Sequence, residues 1–188
     1  MDYMFSNVID LSSLDISSFD THKVKYMNYM FESSYWLASL DLSNFNTENV
    51  INMENLLSFC YSLKVLDLSN FNTKNVIDMN HLFYYSNNLI SIDISNFNTQ
   101  NVKYMESMFL NCFSLTSLDL SNFNTQNVVS SSHMLYNCFS LNYIDISNFS
   151  KLNSNMFDKT SFSSNCTIII NKAINENNIN TLCKIISK

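Results

Sequence analysis

Six copies of a Leu/Ile-Asp-Leu/Ile-Ser tetrapeptide stand in strict register, with aspartates at Asp15, Asp41, Asp67, Asp93, Asp119 and Asp145, and every interval between them is 26 residues. A fixed period of this length is the signature of a solenoid. One unit cannot bury its own apolar side, so stacked units share a continuous core.

Each unit reads in two periods. Leu40 and Leu42 alternate with Ser39, Asp41 and Ser43, a period-two pattern that predicts a short strand. Further on, Val76, Met79, Leu82, Phe83, Ser86 and Leu89 fall at steps of three or four, which predicts one apolar face of a short helix. Thr47, Thr73, Thr99 and Thr125 stand where N-caps would stand. Phe45, Phe71, Phe97 and Phe123 recur between the two halves and are expected to stack in the corner. The chain has no Gly and no Pro, so left-handed backbone positions are expected to fall on Asn of the Asn-Phe-Asn turns.

The fold expected is therefore α/β: a solenoid of about six strand-turn-helix repeats, with a concave parallel sheet on one face. Residues 1–150 form the solenoid, starting in mid-repeat, because Met1, Met4, Phe5, Val8 and Leu11 coincide with Met27, Met30, Phe31, Ser34 and Leu37. That start reads as a piece cut from a longer array or, less readily, as an amino-terminal cap, since capping repeats are usually polar outside. Residues 151–188 read as a carboxyl cap, with a closing strand at 167–170 and a helix entered at Asn178 that carries Ile179, Leu182, Cys183 and Ile186 on one face.

A net charge of −6 without Lys/Arg clusters argues against nucleic-acid binding. No apolar run approaches the ~18 residues of a membrane span. The amino terminus has no basic start and no apolar run of signal-peptide length.

Cys60, Cys112 and Cys138 share a position also filled by Ser34, Ser86 and Val8. That position reads as a small buried slot for free thiols. Cys166 and Cys183 are candidates to pair near the carboxyl end. His22, His81 and His133 read as solvated residues, the latter two on helices, and form no metal set with Cys or carboxylates. No catalytic motif, metal site or cofactor site is expected.

The aspartate column is the sharpest candidate site. Asp41, Asp67, Asp93, Asp119 and Asp145 alternate with the Leu/Ile face and are expected to line the concave sheet at strand spacing. Like charges side by side are unfavourable. Either hydrogen bonds to the Ser column or backbone hold them, or they form an acidic track for a basic partner or a cation. Tyr143 stands where most other strands carry Ser, and is the most individual residue of that face. Tyr35, Trp36, Phe59, Tyr61, Tyr84, Tyr85 and Tyr136 also vary between units and are of the type favoured at binding hot spots.

The unit from Cys112 to Val128, with its Met105-x-x-Met108-Phe109 step, resembles the repeat of BspA-like leucine-rich-repeat surface proteins. The likeness spans roughly residues 1–150. It implies a right-handed leucine-rich-repeat-like solenoid in a bacterial cell-surface or secreted protein associated with adhesion, without shared catalytic residues. The function expected is a non-catalytic module binding a protein or glycan. The alternative is a structural element that self-associates through its amino-terminal half-repeat.

Overall fold

A computed structural model describes residues 1–152, 155–157, 162–174, 179 and 183–188. The described residues form a parallel β-solenoid with no helix. Its strands are β1 (Val65–Asp67), β2 (Ser91–Asp93), β3 (Ser117–Asp119), β4 (Tyr143–Ile146), β5 (Thr167–Ile170) and β6 (Lys184–Ser187). Each pairing is parallel; β1 and β2 form one sheet, and β3, β4, β5 and β6 form another in that order. Leu66 faces Ile92 and Leu118 faces Ile144, so equivalent residues of successive units are lateral neighbours. On the opposite side of each coil, a single-residue ladder runs Tyr26, Asn52, Asp78, Tyr104, Ser130.

This corrects the expectation of an α/β, leucine-rich-repeat-like solenoid. The segment read as helix is a chain of overlapping turns. Met30, Glu32 and Ser34 donate their N–H groups three residues back, to Met27, Tyr29 and Phe31. The alternate amides of Tyr29, Phe31 and Ser33 leave the coil and bond the carbonyls of Glu54, Leu56 and Ser58 at 2.9, 3.0 and 2.9 Å. Asn55, Leu57 and Phe59 do the same to Asn80, Leu82 and Tyr84. A helix directs every interior N–H to its own residue i−4 and leaves none for the neighbouring coil. The expected carboxyl-terminal helix is also overturned, because Lys184–Ser187 is strand β6; Asn178 and Leu182 lie outside the described residues. The closing strand expected at 167–170 is β5.

Backbone dihedrals give the second reason. Positive φ recurs in two columns four residues apart: Tyr3, Tyr29, Asn55, His81, Ser107 and His133, then Asn7, Ser33, Phe59, Tyr85, Asn111 and Asn137. Such residues cannot sit inside a right-handed helix. The left-handed positions are thus in the turn chain, and not in Asn-Phe-Asn as composition suggested. Each costs about 1–2 kcal/mol for a non-Gly residue, offset by the axial hydrogen bonds that the conformation makes possible.

The apolar pattern nonetheless marks the inward set. Met27, Met53, Met79 and Met105 are fully buried, as are Val50, Val76 and Val102, and Phe45, Phe71, Phe97, Phe123 and Phe149 fill the corner. Phe97 and Phe123 stack at 6.2 Å.

The threonines do not cap helices; they join coils. Thr73 Oγ1 accepts the N–H of Asn98 at 2.7 Å and donates to its carbonyl at 3.0 Å. Thr21, Thr47 and Thr99 repeat this bracket on Asn46, Asn72 and Asn124. Asn70 Nδ2 reaches back to the carbonyls of Leu42, Ser43 and Phe45, and Asn122 does so one pair of coils later. The Cys/Ser slot is also a donor site. Cys60 Sγ lies 3.3 Å from the Phe31 carbonyl, Cys112 3.2 Å from that of Phe83, and Ser86 Oγ donates to Leu57 at 2.9 Å. Burial pushes the Cys60 and Cys138 thiols up to about 12.

Two substitution pairs test this architecture by urea unfolding. Ser107→Gly is expected to be neutral or mildly stabilising, and Ser107→Val to destabilise by about 1–2 kcal/mol; a helix would rank Gly as the worse of the two. Thr73→Val is expected to lose about 1–2 kcal/mol, because it removes both part-buried hydrogen bonds to the Asn98 backbone, while Thr73→Ser retains most of the stability.

Candidate functional site on the strand face

The strand face carries the aspartates in file. Asp67 is the register partner of Asp93, and Asp119 of Asp145. Each carboxylate is first held by its own turn. Oδ1 accepts the N–H of the serine two residues on, at 2.9 Å for Asp41, Asp67, Asp119 and Asp145 and 3.0 Å for Asp93. The serine hydrogen bonds hold the Asp41 and Asp67 carboxyls below their ordinary range. Asp67 works in the opposite direction on Asp41, as expected for neighbouring like charges.

The column divides into two environments. Asp41, Asp67, Asp93 and Asp119 are exposed. Asp145 is only 3% exposed: Lys188 Nζ donates to its Oδ2 at 3.0 Å and Tyr143 Oη does so at 3.3 Å. Burial opposes ionisation of Asp145, but Ser147 and the Lys188 ammonium outweigh it, and its carboxyl stays below the usual value. Tyr143 is half-buried against this pair, and burial first, then Asp145, raises its phenol. Of the six residues picked out by sequence, four therefore present open carboxylates, while Asp145 is engaged by the chain's own Lys188 and Tyr143 by Asp145.

Two clefts open along the exposed stretch. One, of about 490 Å³, lies over the gap between β2 and β3 and is lined by Leu66, Asp67, Ile92, Asp93, Asp119 and Ser121 among others. The second, of about 500 Å³, includes Leu14, Leu40, Asp41, Lys64, Val65 and Asp67. Both sit where strand pairing is interrupted. The inward residues there, Leu40 and Ile92, are only half-buried, whereas Leu66, Leu118 and Ile144 are buried. The result is an apolar floor between carboxylate walls. Sequence reasoning missed this floor and Lys188: the repeat pattern makes Leu40 and Ile92 equivalent to their buried neighbours, and Lys188 lies outside the repeat.

The other candidates lie elsewhere. His81 and His133 occupy left-handed turn positions, not helices, and pack against the rings of Tyr84 and Tyr136. Tyr35 stacks on Tyr61 at 5.0 Å, and Phe59 meets Tyr61, Tyr84 and Tyr85. Trp36 is 65% exposed. Among the described residues, no group of three or more His, Cys, Asp or Glu side chains converges on a point that could hold a metal ion.

Comparison with known proteins adds a family. No curated protein and no solved structure gives a significant match. A family profile described as "Mycoplasma protein of unknown function, DUF285" matches residues 1–64 and 58–169. Those matches span most of the solenoid, and the chain belongs to this DUF285 family.

Proposed function

We propose that the protein is a non-catalytic recognition module whose strand face binds an extended, basic segment of a partner protein. The observation that carries this reading is the run of open carboxylates at Asp41, Asp67, Asp93 and Asp119 beside clefts with half-buried Leu40 and Ile92 at their base. A strand that alternates Lys with an apolar residue matches both features. Its ammonium groups pair with the aspartates and its apolar side chains cover the floor. A neutral glycan would leave the charge column uncompensated, so a protein ligand is favoured over a glycan. The resemblance of the repeat to BspA-like surface proteins supports a place at the bacterial cell surface or in the secreted fraction, with a role in adhesion. Antibody labelling of intact cells checks that location, and labelling only after lysis overturns it.

A second reading has its own observation. Tyr3, Met4, Ile9 and Leu11 of the first coil are 58, 49, 46 and 43% exposed, an apolar end suited to self-association. Light scattering across concentration decides it, since a constant monomer mass removes the assembly role.

The binding reading is tested by fluorescence anisotropy with an alternating Lys-Leu peptide and its Glu-Leu counterpart. The Lys peptide is expected to bind, and the Asp67→Asn, Asp93→Asn, Asp119→Asn variant to lose about tenfold, because exposed ion pairs are individually weak and three are removed together. A charge-matched control at Asp2, Asp20 and Glu48, off the strand face, is expected to retain binding. Because the carboxyls of Asp41 and Asp67 are held below their ordinary range, binding persists as pH falls to about 4 and is lost only on further acidification. Equal binding of both peptides, or equal loss in the control, overturns the proposal.

A further inference from the structure

We infer that Cys166 and Cys183 are a disulfide-forming pair that locks the carboxyl-terminal strand, and with it Lys188, onto the solenoid. The pairing follows from register. Thr167 of β5 faces Lys184 of β6, so the residues immediately before them, Cys166 and Cys183, are the next rung of the same parallel ladder. The Lys184 N–H bonds the Cys166 carbonyl at 2.9 Å, which holds that rung closed. Neighbouring parallel strands lie about 4.8 Å apart, within the roughly 4.4–6.8 Å Cα separation that disulfides span. The two side chains are already in contact, as the Cys166 thiol shares a hydrogen bond with that of Cys183.

Cys60, Cys112 and Cys138 are set up differently. Each is fully buried with its sulfur near a carbonyl of the preceding coil, so the slot fixes them as structural donors. Cys183 is partly exposed while Cys166 is buried, which sets the order of events. With a low-molecular-weight disulfide RSSR as oxidant, the Cys183 thiol loses its proton and its thiolate attacks one sulfur, expelling RS⁻. Cys166, deprotonated in turn, attacks Cys183 Sγ and expels the second RS⁻. The protein pair gives up two electrons, and RSSR leaves as two thiols. The bond staples β6 to β5, and β6 is followed directly by the Lys188 that covers Asp145.

The test incubates the reduced full-length chain with oxidised glutathione, alkylates it in denaturant and digests it with trypsin without reductant. The expected product links fragments 160–172 and 173–184, with Cys60, Cys112 and Cys138 alkylated, and a melting temperature that rises on oxidation and returns with dithiothreitol. Cys183→Ser is expected to abolish both the link and the shift. Alkylation of all five cysteines, a stable glutathione adduct without closure, links scattered among the other cysteines, or an intermolecular dimer would each overturn the inference.

Discussion

The axial hydrogen bond from one coil to the next is the constraint on which the rest of this structure rests. It fixes the unit length, because an N–H that bonds 25 residues ahead, as Tyr29 to Glu54 or Leu68 to Asp93, tolerates no slip in the intervening chain. Side-chain ladders then follow the backbone. The Thr brackets, the Asn44, Asn70 and Asn122 clamps and the Cys/Ser donors each join groups 25 to 29 residues apart. A chain without glycine reaches this arrangement by placing left-handed φ on residues whose amides then point along the axis. Inter-coil bonding and local strain are thus two aspects of the same turn.

How much of this was legible depends on what periodicity encodes. The period, the inward residues and the alignment of Asp67 with Asp93 could be read directly, because they require only that coils repeat in register. The backbone of the second half could not. A succession of turns stepping three or four residues buries Val76, Met79, Leu82, Phe83, Ser86 and Leu89 as a short helix would. Periodicity reports which side chains face inward, and not which carbonyl each amide chooses. One signal was present: the two columns of positive φ hold only Tyr, Asn, His, Ser and Phe, and never Val, Ile or Thr, the residues least tolerant of that conformation. Thr73 was also legible in kind, as a side chain serving a backbone N–H, but its partner is Asn98 in the next coil and not its own turn.

For the aspartates, local hydrogen bonding and an exposed acidic track are alternatives at the level of sequence, and the structure combines them. One oxygen of each closes a turn onto the serine two residues on, which accounts for Asp at every coil without a ligand. The negative charge that remains is a by-product of that turn chemistry, available to a partner. Individuality enters where the repeat fails: at Lys188, which satisfies one carboxylate, and at Leu40 and Ile92, which lose cover.

Those failures lie along the charge column itself. Neighbouring parallel strands place equivalent carboxylates about 4.8 Å apart, a repulsive spacing when nothing intervenes. The sheet is continuous from β3 through β6, where the column ends in Asp145 bonded to Lys188. It is interrupted between Asp93 and Asp119, and Asp41 lies outside any named strand, in both cases between open carboxylates. Asp67 and Asp93 remain in register, but in strands of only three residues. The neutralised carboxylate thus stands in the continuous sheet, and the clefts that uncover Leu40 and Ile92 open between bare ones. By the same logic a cationic segment seated on this face would supply the missing counter-charge and cover the apolar floor at once. Both contributions favour an extended basic chain over a ligand offering only one.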